Sequence, residues 1–357
     1  MASSVGQEQK NFSIGQRKIG DGNPAYLIAE MSANHAQDKS RALEIIHAAK
    51  EAGADCVKIQ TYTADTITLN CRNSYFTLDG GAWNGENLHD LYGKAYTPWE
   101  WQPDLKTEAD KIGIDFFSTP FDPTAVDFLE EMGVQFYKIA SFEVVDIPLI
   151  KKAAATGKPI IMSVGMATLP EIEEAVQAVY SMGNYQLALL KCSSSYPAIP
   201  THMNLKTIPD MKERFRLPVG LSDHSMGSIA AVTAVALGAN IIEKHFCLGR
   251  EIENPDSSFS MEPEEYRKMV EEIRQAERAM GKVSYELSEE ETSSRNIRKS
   301  IFVSADIKKG EKLTPENIRV VRPACGMEPK YYEKVLGKRA KEDIAFGTPL
   351  SWDQICE

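Results

Sequence analysis

From about residue 25 onward the chain alternates short apolar runs with longer stretches whose apolar residues recur at three- and four-residue spacing. The short runs are residues 25–31, 54–60, 114–119, 136–140, 159–164, 187–192, 218–221 and 240–246. Runs of this length predict strands of a parallel sheet buried on both faces. Between them, residues 39–52, 98–111, 124–131, 169–181 and 228–237 carry helical periodicity, and 263–280 predicts a closing helix. A βα unit repeated this way over about 260 residues matches the size of an α/β fold of the (β/α)8 TIM barrel type. An open doubly wound sheet is the alternative, but no Gly-x-Gly-x-x-Gly follows the first strand, so nothing points to a dinucleotide fold.

Two stretches break the pattern. Residues 61–100 are too long for an ordinary βα loop and carry Gly80-Gly81-Ala82-Trp83 and several aromatics. Loops of that length are usually functional lids or binding loops. Beyond residue 281 the chain turns polar and acidic, with Glu286, Glu289, Glu290 and Glu291, and then changes texture. Residues 300–304, 306–310, 313–317 and 319–323 predict short strands and turns. The division that follows is a barrel over 1–285, a linker over 286–296 and a small, mostly β module over 297–357. A core that small is expected to lean on another surface.

Composition narrows the function. With 43% hydrophobic and 25% charged residues in 357, long disorder and collagen-like structure are excluded. The formal charge, 40 − 51 = −11, and the absence of a dense Lys/Arg run argue against nucleic acid as a partner. An anionic small substrate then needs a locally basic pocket. No apolar stretch approaches the ~18 residues of a membrane helix. Residues 1–20 lack the apolar block of a secretory signal and read as a loose polar terminus, so a cytoplasmic location is expected. The cysteines at 56, 71, 192, 247, 325 and 356 form no close Cys-x-x-Cys pair and are expected to be reduced, with buried packing as their role.

In a barrel enzyme the chemistry sits at the C-terminal ends of the strands. Here those ends offer Glu30, Asn34, His35, Lys58, Gln60, Ser118, Thr119, Lys138, Ser141, Glu143, Ser163, Ser194, Tyr196, Ser222, Asp223, His224, Glu243, Lys244 and His245. His224 and His245 close the seventh and eighth strands, neighbours in a barrel. Two imidazoles so placed suit a divalent metal with open positions, with Glu30 and Asp256 able to complete or orient it; hydrogen-bonded structural histidines are the alternative. Lys58 and Lys138 lie within apolar strands, where an unpaired ammonium is costly to bury. A bound anion resolves that cost, with Ser118, Thr119, Ser141, Ser163 and Ser222 supplying hydroxyl donors. Internal pairing with Glu30, Glu143 or Glu243 resolves it equally, and a Schiff-base lysine is a third reading.

Six strings carry a resemblance. They are Ile28-Ala29-Glu30-Met31-Ser32-Ala33-Asn34-His35, Lys58-Ile59-Gln60-Thr61, Ser118-Thr119-Pro120-Phe121, Tyr137-Lys138-Ile139-Ala140-Ser141-Phe142-Glu143, Gly220-Leu221-Ser222-Asp223-His224-Ser225 and Ile242-Glu243-Lys244-His245-Phe246. In this order they resemble the sialic acid synthase family, whose members condense phosphoenolpyruvate with an amino-sugar aldehyde. The likeness spans about 14–356 and includes the terminal module, which is similar to type III antifreeze proteins and is called the SAF domain. Within the family, Ser32-Ala33-Asn34-His35-Ala36, the run 59–65, the insertion from Gly80 through Trp101 and Ala140-Ser141-Phe142-Glu143 resemble the branch acting on 2,4-diacetamido-2,4,6-trideoxy-L-altropyranose. N-acetylneuraminate and legionaminic acid synthases remain the alternatives.

The resemblance implies roles residue by residue. His224 and His245 would bind Mn2+, or Mg2+ or Co2+, with Glu30 and Asp256 beside the metal and its water as catalytic groups. Lys58, Thr119, Lys138, Ser141, Ser163, Ser194, Tyr196 and Ser222 would surround phosphoenolpyruvate, and Gln60 and Glu143 would face the sugar. Arg322 matches an arginine that the family inserts into the partner subunit's active site, which implies a domain-swapped homodimer. Flagellin or surface-polysaccharide glycosylation is the implied end use. Two positions depart from the family pattern: Ser193 and Val164 stand where Thr is usual or common, so phosphate contacts from them are not expected. Ice binding by the terminal module is disfavoured by the charges of Lys308, Lys309, Glu311 and Lys312.

Overall fold

The computed structural model describes residues 11–80 and 83–356, and the chain divides into two compact units after Gly281. In the first unit eight parallel strands close a barrel in chain order. They are β3 (Tyr26–Glu30), β4 (Cys56–Thr61), β5 (Asp115–Pro120), β6 (Tyr137–Ile139), β7 (Ile160–Ser163), β8 (Leu187–Cys192), β9 (Val219–Asp223) and β10 (Ile241–His245), with β10 returning to β3. Each expected apolar run overlaps one of them. Helices follow with the caps their sequences provide. Asp38 accepts from the amides of Ser40 and Arg41 ahead of Lys39–Glu51, and Asp122 does the same for Pro123–Met132.

Alternation along each strand sorts side chains into two apolar sets. Leu27, Ala29, Val57, Ile59, Tyr137, Ile139, Leu187 and Leu189 face outward and pack beneath the helices. Tyr26, Ile28, Cys56, Phe117, Phe136, Ile161, Ala188, Leu190 and Ile241 face inward and fill the N-terminal half of the barrel. The next inward positions, two residues further along, are Glu30, Lys58, Thr119, Lys138, Ser163, Cys192, Ser222 and Glu243. The barrel interior is therefore apolar at one end and polar at the other. Gly220 lies in this inner wall, where a β-carbon would sit 2.2 Å from the Ile241 carbonyl oxygen.

The loose terminus expected over residues 1–20 is corrected in part. Residues 1–10 lie outside the described residues, but β1 (Asn11–Ile14) and β2 (Arg17–Gly20) form an antiparallel hairpin. Its short alternating pattern buries Phe12, Ile14 and Ile19 against the inward apolar set, so the hairpin plugs the N-terminal end. Arg17 ties it down through an ion pair with Asp55 and another at 3.8 Å with Asp115. Asp55 also accepts from the Leu27 amide at 2.9 Å and meets Arg274 of the closing helix Pro263–Met280 at 3.3 Å.

The second unit has its own core of Ile301, Val303, Ile307, Leu313, Ile318, Met327, Val335, Ala340, Ile344, Leu350 and Ile355. Its strands β11 (Ser300–Val303) and β12 (Ile318–Val321) pair antiparallel. The segment expected as linker is not all irregular: Ser288 caps an exposed helix, Glu289–Ser294. All six cysteines are free, as expected, but only Cys56, Cys192 and Cys247 are buried; Cys71 is half-buried and Cys325 and Cys356 are exposed.

Because Asp55 joins hairpin, barrel and closing helix, Asp55→Ala removes an acceptor shared by two arginines and one amide. Denaturant unfolding is expected to show a loss of about 3 kcal/mol. A change below about 0.5 kcal/mol would show that the network is surface decoration.

Candidate active site

The polar end of the barrel is built around a carboxylate and two lysines. Glu243 Oε1 lies 3.5 Å from Lys58 Nζ and 3.6 Å from Lys138 Nζ, and Glu30 Oε2 lies 2.9 Å from Lys58 Nζ. Lys58 also donates to Thr119 Oγ1 at 3.2 Å, and Ser222 Oγ to Glu243 Oε1 at 3.4 Å. Gln60 bridges Glu30 Oε1 at 2.8 Å and Ser32 Oγ at 3.0 Å. All of these except Gln60 are buried. The internal pairing considered from sequence is therefore present. Burial disfavours charge on Lys58, but Glu243 and Glu30 outweigh it and hold its pKa above the ordinary lysine value. For Lys138 burial prevails over the pull of Glu243, and its pKa falls. Glu30 is raised by burial, which Lys58 only partly opposes.

Beside this cluster the His224 and His245 rings stand 5.4 Å apart. His224 Nδ1 lies 3.1 Å from the Ser193 carbonyl oxygen; in the neutral ring, donating there leaves Nε2 as the lone-pair nitrogen. His245 Nδ1 is buried without a hydrogen-bond partner and sits 4.0 Å from Asp256 Oδ2. Burial, reinforced by the His224 charge and nearby lysines, depresses His245 far below its ordinary value and keeps it neutral. For His224 burial is outweighed by the Cys192 thiol, 3.8 Å away, which favours the protonated ring. Among the described residues no three His, Cys, Asp or Glu side chains are placed to hold a metal between them. Two imidazoles, one with an orphaned buried nitrogen, fit an open site whose other positions go to water or substrate oxygen, not a closed structural one.

A third group of donors lies between β6, β7 and β8. Ser141 Oγ accepts from the Gly165 amide at 3.0 Å, and Ser163 Oγ is buried without a partner. A β-carbon on Gly165 would lie 2.3 Å from Ser194 Oγ and 2.9 Å from Ser141 Oγ, so glycine keeps these hydroxyls close. Met166 and Ser32, at φ of 62° and 44°, hold left-handed backbone at the same mouth, a strain that ordinary turns avoid. Tyr196 packs on His224 with ring centres 4.3 Å apart. Glu143 is partly buried, with Oε2 unpartnered; burial, against the opposing Lys138 charge, pushes it up to about 7.

The structure thus gathers Glu30, Lys58, Gln60, Thr119, Lys138, Ser141, Ser163, Ser194, Tyr196, Ser222, His224, His245 and Asp256 at one end of the barrel. Arg322 is in the second unit, exposed just beyond β12. Ser118 is a correction: it faces outward, bonded to Thr61 Oγ1 at 2.6 Å and the Ile59 carbonyl at 3.2 Å, and is not part of the donor set. His35 is likewise structural, bonded to Thr97 and packed on Trp101. Gly165 and Cys192 went unrecognised in the sequence. Strand parity places Cys192 two residues beyond Leu190 on the same face, so its signal was available. In the 61–100 insertion, Trp83 reaches the site, while Tyr75 is 86% exposed. Gly81 and Ala82 lie outside the described residues.

A (β/α)8 barrel with buried lysines, serine hydroxyls and an imidazole pair at its C-terminal mouth has the charges and donors of an enzyme site suited to a small anion. Residues 45–285 match the NeuB family and residues 298–355 the SAF domain. The chain belongs to the NeuB family, the sialic acid synthases. It is 46% identical to a pseudaminic acid synthase of Campylobacter jejuni, covering 91% of this chain and 95% of that one. It is 44% identical to the pseudaminic acid synthase of Helicobacter pylori, over 93% and 98%. Among solved structures, N-acetylneuraminic acid synthetase from Leptospira borgpetersenii in complex with citrate superposes with a TM-score of 0.72. The two are 34% identical over 80% of this chain and 94% of that one.

Glu143 offers a pH test. Its folded pKa of about 7 exceeds the ordinary 4.5, so between these values the folded state binds more protons and stability falls as pH rises. Glu143→Gln removes that loss. The variant is expected to gain about 1–3 kcal/mol relative to the parent between pH 4.5 and pH 8, measured by denaturant unfolding. A pH-independent difference would mean that Glu143 ionises normally.

Proposed function

We propose that this enzyme condenses phosphoenolpyruvate with 2,4-diacetamido-2,4,6-trideoxy-L-altropyranose, giving pseudaminic acid and phosphate. The observation that carries the reaction class is the pair of buried lysines set in one layer with two imidazoles. The sugar assignment is supported by near full-length similarity to enzymes named for that product. Lys58 and Lys138 fit the carboxylate and phosphate of phosphoenolpyruvate, whose charge takes up interactions now satisfied by Glu30 and Glu243. Ser141, Ser163, Ser194 and the Gly165 amide supply further donors to phosphate oxygens, and Thr119, Tyr196 and Ser222 line the same pocket.

In this proposal His224 and His245 hold a divalent ion, Mn2+ or alternatively Mg2+ or Co2+, which when bound supplies Lewis acidity toward the sugar's aldehyde oxygen. Gln60 and Glu143 orient the open-chain sugar so that C3 of phosphoenolpyruvate meets the aldehyde carbon. The new carbon–carbon bond leaves positive character at C2. Water adds there, giving up a proton to Glu30 or Asp256, and the resulting tetrahedral centre expels phosphate with its bridging oxygen. The lysines stabilise the departing charge.

We also infer that a second copy completes the site with Arg322. An arc of exposed apolar residues, Phe142, Val145, Met166, Ile199, Met226 and Ile229, follows β6 to β9 around the mouth, and Ile229 is 81% exposed. Such a rim suits coverage by another subunit in a domain-swapped homodimer. The proposed setting is the cytoplasm, with the product used for flagellin or surface-polysaccharide glycosylation. No described helix is long and apolar enough to cross a membrane.

The lowered pKa of Lys138 favours a second reading, a Schiff-base aldolase, because a less basic amine is a better nucleophile. Product analysis separates the two. With phosphoenolpyruvate labelled at the bridging oxygen and Mn2+, the trideoxy diacetamido sugar is expected to yield a nonulosonate, the label leaving in phosphate. EDTA should abolish turnover. Preference for N-acetylmannosamine would overturn the sugar assignment. Label retained in the sugar acid, or a borohydride-trapped lysine with indifference to EDTA, would overturn the mechanism.

A further inference from the structure

The 61–100 insertion contains a small structured turn that presents one aromatic side chain to the site. Thr77 and Asn87 form an antiparallel bridge, Leu78 N donates to the Glu86 carbonyl at 2.9 Å, and Gly85 N donates to the Leu78 carbonyl at 2.8 Å. The Asn87 side-chain amide adds bonds to the carbonyls of Cys71 and Phe76, at 2.9 and 3.1 Å. The turn is mostly exposed, and Asp79, Gly80, Asn84 and Gly85 face solvent. Trp83 does not. Its indole N–H donates to the Pro255 carbonyl at 3.1 Å, one residue before Asp256, and its ring centre lies 5.5 Å from that of Tyr196. Tyr196 in turn contacts the His224 ring and, at 5.1 Å, Phe259, which lies 5.0 Å from His245. An aromatic run thus leads from the insertion to the imidazole pair.

We propose that Trp83 is a specificity-determining residue of the sugar subsite, its indole joining Tyr196 and Phe259 in the apolar wall that receives the substrate's methyl and second acetamido groups. The inference rests on the sugar proposed above. Tyr196 is shared with the phosphoenolpyruvate pocket, whereas the Trp83 indole, bonded to Pro255 and packed on Tyr196, adds no charged or hydroxyl group to it, so its loss is expected to bear on the sugar. A sugar with hydroxyls at those positions would bury them against ring faces that offer no partner, a discrimination of about 10- to 100-fold. The purely structural alternative is that Trp83 only pins the loop carrying Asp256 through its N–H bond.

Steady-state kinetics of the full-length enzyme and of Trp83→Ala and Trp83→Phe separate these readings. Trp83→Ala is expected to raise KM for the diacetamido sugar about 10-fold or more while kcat changes little. KM for phosphoenolpyruvate should stay within about twofold, and discrimination against N-acetylmannosamine should fall by a similar factor. Trp83→Phe keeps a ring but loses the N–H donor and should recover most of the sugar KM. The inference is overturned if sugar KM is unchanged in Trp83→Ala, if both substrates lose KM equally, or if Trp83→Phe is as impaired as Trp83→Ala. Should the wild-type enzyme reject the diacetamido sugar, the proposed function fails by itself. The same variants assayed with the sugar it does accept then decide Trp83: a rise confined to sugar KM upholds it as a sugar contact, and no such rise overturns it.

Discussion

The buried ion cluster of Lys58, Lys138, Glu30 and Glu243 is the constraint around which the catalytic end of the barrel is organised. Four charged groups in a protein interior persist only if each is paired, because an isolated buried charge costs several kcal/mol. The pairing here depends on strand register. Glu30 lies opposite Lys58 across β3 and β4, and His245 opposite Glu30 across β10 and β3. A shift of one residue in β3 or β4 would turn Glu30 or Lys58 outward into the helix layer and replace it with an apolar neighbour, Ala29 or Met31 in β3 and Val57 or Ile59 in β4. Beneath the cluster, Phe117 and Phe136 stack with ring centres 4.0 Å apart and the N-terminal hairpin seals the opening. Water is excluded from one side, so electrostatics at the other side act in a low dielectric.

The same register serves the outer face. Lys244 and Asp223, between the inward residues of β10 and β9, form a buried ion pair at 2.7 Å. Lys244 also donates to the Ser225 carbonyl, and Asp223 accepts from Ser225. This pair joins the two strands next to the positions that carry His245 and His224. The imidazoles are thus oriented by strand pairing, by the Ser193 carbonyl and by an outward salt bridge, before any ligand arrives. That arrangement resolves how a chain of net charge −11 presents positive groups to an anion. The positive charge is local, buried, and held by carboxylates that the ligand can substitute.

Strands were legible because burial on both faces leaves an uninterrupted apolar run, and polar residues that end such a run stand out. Glu30, Lys58, Lys138, His224 and His245 were all found that way. Parity along each run was legible too, and applying it would have turned Ser118 outward and placed Cys192 inward. The hairpin at residues 11–20 was hidden because only Phe12, Ile14 and Ile19 are apolar there, and their burial depends on a barrel opening made by distant strands. Gly165 was hidden for a related reason: its role is the absence of a β-carbon between Ser141 and Ser194, which come from two other strands. Trp83 was visible as an aromatic in a long loop, but its partner Pro255 lies 172 residues away.

The central claim is that the two paired lysines form a preorganised anion site that phosphoenolpyruvate enters. Its most direct test is calorimetric titration of phosphoenolpyruvate into the enzyme and into Lys58→Met and Lys138→Met, with folding checked by circular dichroism. The account predicts at least about a 10-fold loss of affinity in each variant, as for removal of a buried charge-assisted contact. Unchanged affinity in folded variants would contradict it, leaving the lysines as internal counterions to Glu30 and Glu243 and nothing more.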